Sequence, residues 1–560
     1  MAARLVVLQV FESPAYAQLG TRQRDVSLPL PAHRGSIFDR NGQALAISVD
    51  LQTVFADPQL VDDAAAEARR LAPALDLKVA ALRRQLEGTR PNDQYEVIAK
   101  DVQPALANKI EDMHLAGIYF QTQADRFYPG GSLAAQVLGF LRASDGEPLA
   151  GVELALNDVL QGRTGEMSYQ TDPEGRPLPQ AQFHYRPPHP GRSVFLTIDK
   201  DIQYFAQNAL ATAVDRYRAG WGTAIVMRPS TGEVLAMANV PGFDPNRYSS
   251  ASPGRTRNLA VTDVYEPGSA FKLVTASAAL DAGVVTPHTS FYVPDTFQVA
   301  DRLIHDSEIH PAENMTVTKI IEDSSNVGTI KIGMKLGPER LQRYIHRFGF
   351  GRKTGVDFPG ESPGIVLPLD QWSGSTIANV PIGQGVAVTP LQLAAAYAGQ
   401  ANHGVWVRPK LVYGTMSDAG KVSRTPSSPA RRVVSRKTAS QMNRILEKVV
   451  QSGTGVEAAV PGYRVAGKTG TAQKPKPTGG YGGGYMATFA GYAPAGHPSL
   501  VALVVLDNPQ PIWGGSSAAP TFKTIMEFAL RHLGVPPTGN AAKAARKLEE
   551  SRTGDTQSRW

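Results

Sequence analysis

Between Phe183 and Gly191 the chain reads Phe-His-Tyr-Arg-Pro-Pro-His-Pro-Gly, and a helix is not expected to cross it. Each proline lacks the amide hydrogen a helix needs and pushes its predecessor toward extended backbone. The stretch therefore divides the chain, and at roughly 100–200 residues per domain a polypeptide of this size holds about two to four folded units. We place the main boundary here, giving regions 26–190 and 191–536. Residues 1–25 are expected to be a juxtamembrane segment, and 537–560, charged and polar, a disordered tail.

The two regions differ in texture. The first is rich in Pro, Gly and charge. Ser36 to Val49 reads as two extended runs around an Asp39-Arg40-Asn41-Gly42 turn, and Asp62 to Leu86 reads as one or two helices. The second is denser. Val194 to Ile198 reads as a strand. Asp199 to Ala219 reads as a helix with Ile202, Phe205, Ala209, Ala213 and Tyr217 on one face. Ala224 to Arg228 and Glu233 to Ala238 flank a Pro-Ser-Thr-Gly turn, a hairpin signal. Arg464 to Ala466, Ala487 to Tyr492 and Ser499 to Leu506 read as further strands, and Phe522 to Leu533 as a closing helix. Strands at both ends with helices between them predict an α+β domain whose antiparallel sheet is assembled from distant segments. The region before it is strand-rich.

Composition excludes some chemistry. Cysteine is absent, so disulfides, Cys-ligated zinc, iron–sulfur clusters and thiol catalysis are ruled out. The 57 basic residues only slightly outnumber the 50 acidic ones. That excess suits an anionic membrane or an acidic polymer and is no nucleic-acid footprint. Met1 to Phe11 is short and interrupted by Arg4 and Gln9, and no run reaches the 18 or so apolar residues of a membrane helix. We expect either a soluble protein or one whose anchor precedes this sequence.

Three short segments carry chemistry. In Glu266-Pro267-Gly268-Ser269-Ala270-Phe271-Lys272, Pro-Gly ends the preceding chain and a helix-like run follows Lys272. Ser269 then sits at a helix N-terminus, with Lys272 three residues on along the same face. A serine hydroxyl is a poor nucleophile until a base takes its proton, and a lysine amine serves once burial and nearby positive charge lower its pKa. Helix-terminal amides can also receive an oxyanion. Ser324-Ser325-Asn326 follows a second helix-like run, Val317 to Asp323. Lys468-Thr469-Gly470-Thr471 follows the small residues Val465-Ala466-Gly467. S-x-x-K alone recurs by chance. All three in order, with 55 and 144 residues between motif starts, form the signature of penicillin-binding proteins and class A β-lactamases. A second Lys-Thr-Gly at Lys353 lies in a glycine-punctuated turn with no strand of small residues before it, and we reject it.

Longer segments narrow the resemblance. Tyr265 to Ser269, Ala466 to Gln473 and Gly383-Gln384-Gly385-Val386-Ala387-Val388-Thr389-Pro390-Leu391-Gln392 resemble the class B penicillin-binding proteins, monofunctional peptidoglycan D,D-transpeptidases. Arg34-Gly35-Ser36-Ile37-Phe38-Asp39-Arg40-Asn41-Gly42 is similar to the first motif of their non-catalytic, dimerisation-type pedestal domain. Arg126-Phe127-Tyr128-Pro129-Gly130 is similar to the second and Gly151-Val152-Glu153 to the third. The resemblance covers roughly residues 26–530. It implies a C-terminal penicillin-binding/serine β-lactamase-like domain, its antiparallel sheet flanked by helices, above the pedestal. Glu266-Pro and the lack of a PASTA-like C-terminal repeat lean toward the septal, FtsI-type branch over the elongation type.

The resemblance also assigns roles. Ser269 attacks the penultimate D-Ala carbonyl of a stem peptide, and Lys272 is the base. Ser324 relays protons, Asn326 bonds the donor backbone, and Lys468 raises the positive potential. Thr469 and Thr471 bind the substrate carboxylate beside Gly470, and the amides of Ser269 and Thr471 form the oxyanion hole. It implies no cofactor and no metal. The partners it implies are stem peptides, β-lactam antibiotics, an FtsW-type membrane glycosyltransferase and other divisome proteins. It places the protein at the extracytoplasmic face of the bacterial membrane, with a single N-terminal anchor expected outside this sequence.

Other features have plainer readings. Gly479 to Tyr485 is expected to be a flexible hairpin loop rather than a phosphate loop, because no Gly-Lys-Ser/Thr follows. His305 and His310 are expected at the surface, and Lys421 to Lys437 as a solvated loop with six basic residues. Glu308 and Glu313 lack the context of a deacylation base. Two other functions compete. A D,D-carboxypeptidase or β-lactamase would need no pedestal, and a non-turnover β-lactam sensor would carry a signalling membrane region.

Overall fold

The structure, a computed structural model, describes residues 25–88, 95–170, 178, 183–417, 420–476 and 480–538. Most of the expected juxtamembrane segment and tail, and part of the glycine-rich loop, lie outside the described residues.

A five-stranded antiparallel sheet organises the C-terminal region. Its order is Val234–Val240, Gly222–Met227, Leu500–Asp507, Tyr481–Ala493 and Ala466–Pro475, so the pairing of Gly222–Met227 with Leu500–Asp507 joins segments from opposite ends of the region. Leu500–Asp507 is buried along its whole length, which explains its unbroken apolar run. Lys200–Arg216 and Ala518–His532 pack together on one face of the sheet. Asp199 starts the first of these helices by accepting from the amides of Asp201 and Ile202. Its buried stripe is Ile202, Gln203, Ala206, Leu210, Ala213 and Val214, rotated from the expected face. Phe205 is half-buried and stacks on Phe528 of the closing helix, with ring centroids 4.0 Å apart. On the other face the core is built by Lys272–Asp281, Pro390–Ala401 and Arg436–Gln451. Pro390–Ala401 is buried at every position and opens with a capping box between Thr389 and Gln392.

A second sheet crosses the proline-rich boundary. Ile37–Phe38 pairs with Ala44–Ala56 on one side and with Val194–Leu196 on the other, and the latter pairs with Val412–Met416. Hydrogen bonds of one sheet thus tie the two regions together. The expected solvated loop 421–437 instead contributes strands Val422–Arg424 and Ala430–Arg432, paired with Val412–Met416 and Val405–Val407. Its basic residues are used partly as cation–π partners, Arg431 over Trp406 and Arg424 over Tyr413.

The three N-terminal motifs meet at one buried carboxylate. Glu153, fully buried, accepts from Arg34 Nε at 2.6 Å and from Arg126 Nε at 2.7 Å. Arg34 also donates to Asn157 Oδ1 and the Glu153 carbonyl, and Arg126 to the Gly35 carbonyl. Asp39 closes its own turn through the amides of Asn41 and Gln43 and reaches the Lys200 amide at 3.1 Å. Arg40 lies 3.6 Å from Glu233 of the adjoining hairpin. The first motif therefore joins the pedestal knot to the first helix of the C-terminal region.

Candidate active site

The turn that carries Ser269 is built by crowding. Gly268, Ser269, Ala270 and Phe271 form a single 3-10 turn that leads into the helix Lys272–Asp281. Gly268 has φ +53°, a conformation that suits glycine, and a Cβ there would sit 3.1 Å from the Thr471 carbonyl oxygen. Gly383 of the Gly-Gln-Gly segment passes so close that a Cβ would lie 2.2 Å from the Gly268 oxygen, while its own carbonyl accepts from the Gly268 amide. Buried Tyr397 donates to the Ala270 carbonyl at 2.8 Å. The turn is thus clamped from three sides, and Ser269 is left half-buried.

Lys272 is fully buried. Its Nζ donates to the Ser324 carbonyl and to Asn326 Oδ1 at 2.8 Å, and lies 3.4 Å from Ser324 Oγ. No carboxylate is among these bonded partners. Burial lowers its pKa to about 7, and the more distant Asp306 charge partly opposes that fall. Ser324 itself has φ +65°, an unusual conformation for a non-glycine residue, worth about 1–3 kcal/mol of strain. This kink turns its carbonyl and hydroxyl toward Lys272. Asn326 begins the helix Asn326–Leu336, and its Nδ2 donates to the His305 carbonyl at 3.0 Å.

Lys468, Thr469, Gly470 and Thr471 lie within the strand Ala466–Pro475, outermost in the sheet order. An outermost strand keeps one backbone edge without a strand partner, where an extended peptide can pair. A Cβ on Gly470 would meet the Pro267 carbonyl at 2.7 Å, so this glycine lets the Ser269 turn lie against the strand. Lys468 is fully buried, and its Nζ reaches Thr454 Oγ1 at 3.2 Å and Thr469 Oγ1 at 3.1 Å. Burial first, and the neighbouring Lys272 charge second, push its pKa well below the ordinary lysine value. Thr471 Oγ1 accepts from the Gly514 amide at 3.0 Å, which leaves its own proton free to donate.

The structure brings Ser269, Lys272, Ser324, Asn326, Lys468, Thr469, Gly470 and Thr471 into one constellation. Lys353 is exposed, and its neighbour Thr354 is bonded to Glu361 instead. Glu308 and Glu313 are exposed. His310 departs from the surface expectation. Its side chain is 18% exposed and its Nε2 lies 3.0 Å from Asp306, because the loop folds back on the helix Asn326–Leu336. The expected loop Gly479 to Tyr485 is instead strand from Tyr481 onward, because Tyr481 and Tyr485 pair with Pro475 and Gln473, and Tyr481 donates to Glu266 beside the turn that carries Ser269. Burial raises the pKa of that carboxyl group. Sequence reasoning missed Thr454, Asp306, Tyr397 and Gly514. A grouping of Asp199, Asp201 and His532 has metal-like spacing, but Asp199 is engaged in its helix cap and with His532 at 3.1 Å.

Comparison with known proteins agrees with this geometry. The penicillin-binding protein transpeptidase domain model matches residues 222–527, and the penicillin-binding protein dimerisation domain model matches 29–196. The chain is 36% identical over 573 residues to penicillin-binding protein PbpB of Mycolicibacterium smegmatis, covering 96% of this chain and 88% of that protein. It is 32% identical over 545 residues to peptidoglycan D,D-transpeptidase FtsI of Escherichia coli, covering 96% and 90%. Among solved structures, penicillin-binding protein 3 of Mycobacterium tuberculosis complexed with aztreonam superposes with a TM-score of 0.72 at 35% identity, covering 91% of this chain and 98% of that one.

Proposed function

The chain belongs to the class B penicillin-binding proteins and is a peptidoglycan D,D-transpeptidase, and on that premise we propose how its residues divide the reaction. The observation that carries the proposal is Lys272: a fully buried ammonium site with neutral acceptors, three residues beyond a serine on a clamped turn.

Lys272 Nζ takes the Ser269 proton as Oγ attacks the penultimate D-Ala carbonyl carbon. The oxyanion is received by the amides of Ser269 and Thr471. The amide C–N bond breaks, the proton held by Lys272 passes through Ser324 to the departing nitrogen, and terminal D-Ala leaves. Asn326 holds the donor peptide backbone, which lies along the outer edge of the strand Ala466–Pro475. Thr469 and Thr471, two residues apart on that strand, face the same side and take the substrate carboxylate. Lys468 supplies positive charge behind them. An amine of a neighbouring stem peptide then attacks the ester, forming the crosslink and restoring Ser269. A β-lactam acylates the same serine, and its ester is slow to resolve.

The 32% identity to peptidoglycan D,D-transpeptidase FtsI of Escherichia coli supports the FtsI-type reading, and we place the chain in division, at the outer face of the cytoplasmic membrane, beside an FtsW-type glycosyltransferase that would polymerise the glycan. Among the described residues no helix is long and apolar enough to cross a membrane. Incubation with a fluorescent penicillin tests the nucleophile: the unmodified protein should retain label through denaturing gel electrophoresis and Ser269→Ala should take up none. Label surviving that substitution refutes the assignment, and rapid loss of label from the unmodified protein points to hydrolysis instead.

A further inference from the structure

Asp306 belongs to none of the three motifs, yet its carboxylate organises the second of them. One oxygen accepts from the backbone amides of Asn326 and Val327, the latter at 3.0 Å. The other accepts from Ser325 Oγ at 2.7 Å and lies 3.0 Å from His310 Nε2. The side chain is 5% exposed. Four bonds to one buried carboxylate are far more than a surface loop requires. The elements they join are the ones that must keep Ser324 in its left-handed conformation, which persists only where the surroundings over-determine it. The helix Asn326–Leu336 needs partners for its first amides, and Asp306 supplies them jointly with Ser325, whose hydroxyl accepts from Gly328.

We propose that Asp306 is a positioning residue of the transpeptidase, fixing the Ser324-Ser325-Asn326 turn against Lys272 and presenting a negative charge to that lysine, with His310 as the counter-ion that sets how much of the charge is felt. The proposal rests on the reading of Lys272 as base. It goes beyond that reading because it adds a charge relation between a loop histidine and the reacting centre. The groups involved can be named from every side. The Asp306 charge acts on Lys272, the Lys272 and Asp323 charges on Lys468, and the Asp306 and Asp295 charges on His310. Hydrogen bonds to the Pro311 carbonyl and to Asp306 raise the pKa of His310, so the ring keeps its charge to higher pH than a free imidazole. Removing the Asp306 charge makes the Lys272 ammonium less stable, and the free amine then forms at lower pH. Removing the His310 charge leaves Asp306 unopposed and moves the balance the other way.

The test is the second-order rate of acylation by a fluorescent penicillin as a function of pH, on the full chain, with thermal unfolding in parallel. Asp306→Asn keeps the shape and one acceptor oxygen for the helix amides. Its acid limb should move to lower pH by about 0.5 to 1 relative to the unmodified protein. His310→Gln should move the limb to higher pH by a smaller amount. A merely structural role would lower the plateau or the melting temperature without moving either limb, and that result overturns the proposal. If Asp306→Asn does not fold, the direction for His310→Gln decides alone, and an unmoved limb sinks the idea. Lys272→Ala separates the two layers. Surviving acylation would remove the base assignment and this inference with it. An inactive Lys272→Ala beside unmoved limbs would remove the inference and leave the base assignment standing.

Discussion

In the pedestal, buried Glu153 is held by two guanidinium groups, with Arg126 only 4% and Arg34 only 11% exposed. In the cleft, Lys272 and Lys468 are as deeply buried, but their bonded partners are carbonyls, hydroxyls and an amide, and the Lys272 charge further disfavours a charge on Lys468. Both arrangements take charge out of water, which is costly unless the charge is paired. The pedestal pairs its charge and fixes a joint. At Lys272 no bonded carboxylate pairs the charge, so the cost is met by giving up a proton, which is what the proposed base near neutral pH requires. Opposite partners make structure; their absence makes chemistry.

The contrast is sharpest in what each substitution should remove. Lys272→Met should lower acylation by about a hundred- to ten-thousandfold if the base contributes at the usual scale, while leaving the melting temperature near pH 7 unchanged or higher. The sign follows from proton counting. Between about pH 7 and the ordinary lysine value, the unfolded chain binds a proton that the folded chain does not, so stability rises with pH through that window and the lysine is a liability at its lower end. A large drop in melting temperature for Lys272→Met would contradict this. Glu153→Gln should do the reverse. Breaking a buried pair costs about 3–5 kcal/mol, visible in chemical denaturation, with the acylation rate of the remaining folded protein unchanged. A cleft that loses activity without losing stability in Glu153→Gln would break the comparison from the other side. The smallest effect is expected at Thr454→Val, which removes an acceptor from Lys468 and a partner 2.7 Å from Thr469. A hydrogen bond to a charged group is worth about 1.5 kcal/mol at the low end, or roughly tenfold in acylation rate. No change there would place Lys468 outside the reaction.

Much of the site could be read before any fold was in hand, because its chemistry fixes residue types at short spacing: a serine and a lysine one helical turn apart, a serine and an asparagine at a helix start, and a lysine on a strand of small residues. What stayed hidden is what only tertiary packing creates. Thr454 matters because its turn lies against the strand Ala466–Pro475, and Gly514 because its amide reaches Thr471. Tyr397 looks like one more apolar position in a fully buried helix until its hydroxyl is found on the nucleophile turn. His310 sits in a polar stretch that suggests the surface, and only the return of that loop onto the helix Asn326–Leu336 gives it a carboxylate partner. The antiparallel sheet was foreseeable from its scattered apolar runs. The sheet that crosses the proline-rich boundary was not, since its pairing strands are two and three residues long there.

The central claim is that Lys272 is a buried amine able to accept a proton near neutrality. Acylation of the unmodified protein by a fluorescent penicillin, followed from pH 5 to pH 10, addresses it most directly. With a buried amine of this kind the rate climbs with pH and levels off above about 7. A rate that is flat down to pH 5, or that keeps rising until pH 10, would contradict it.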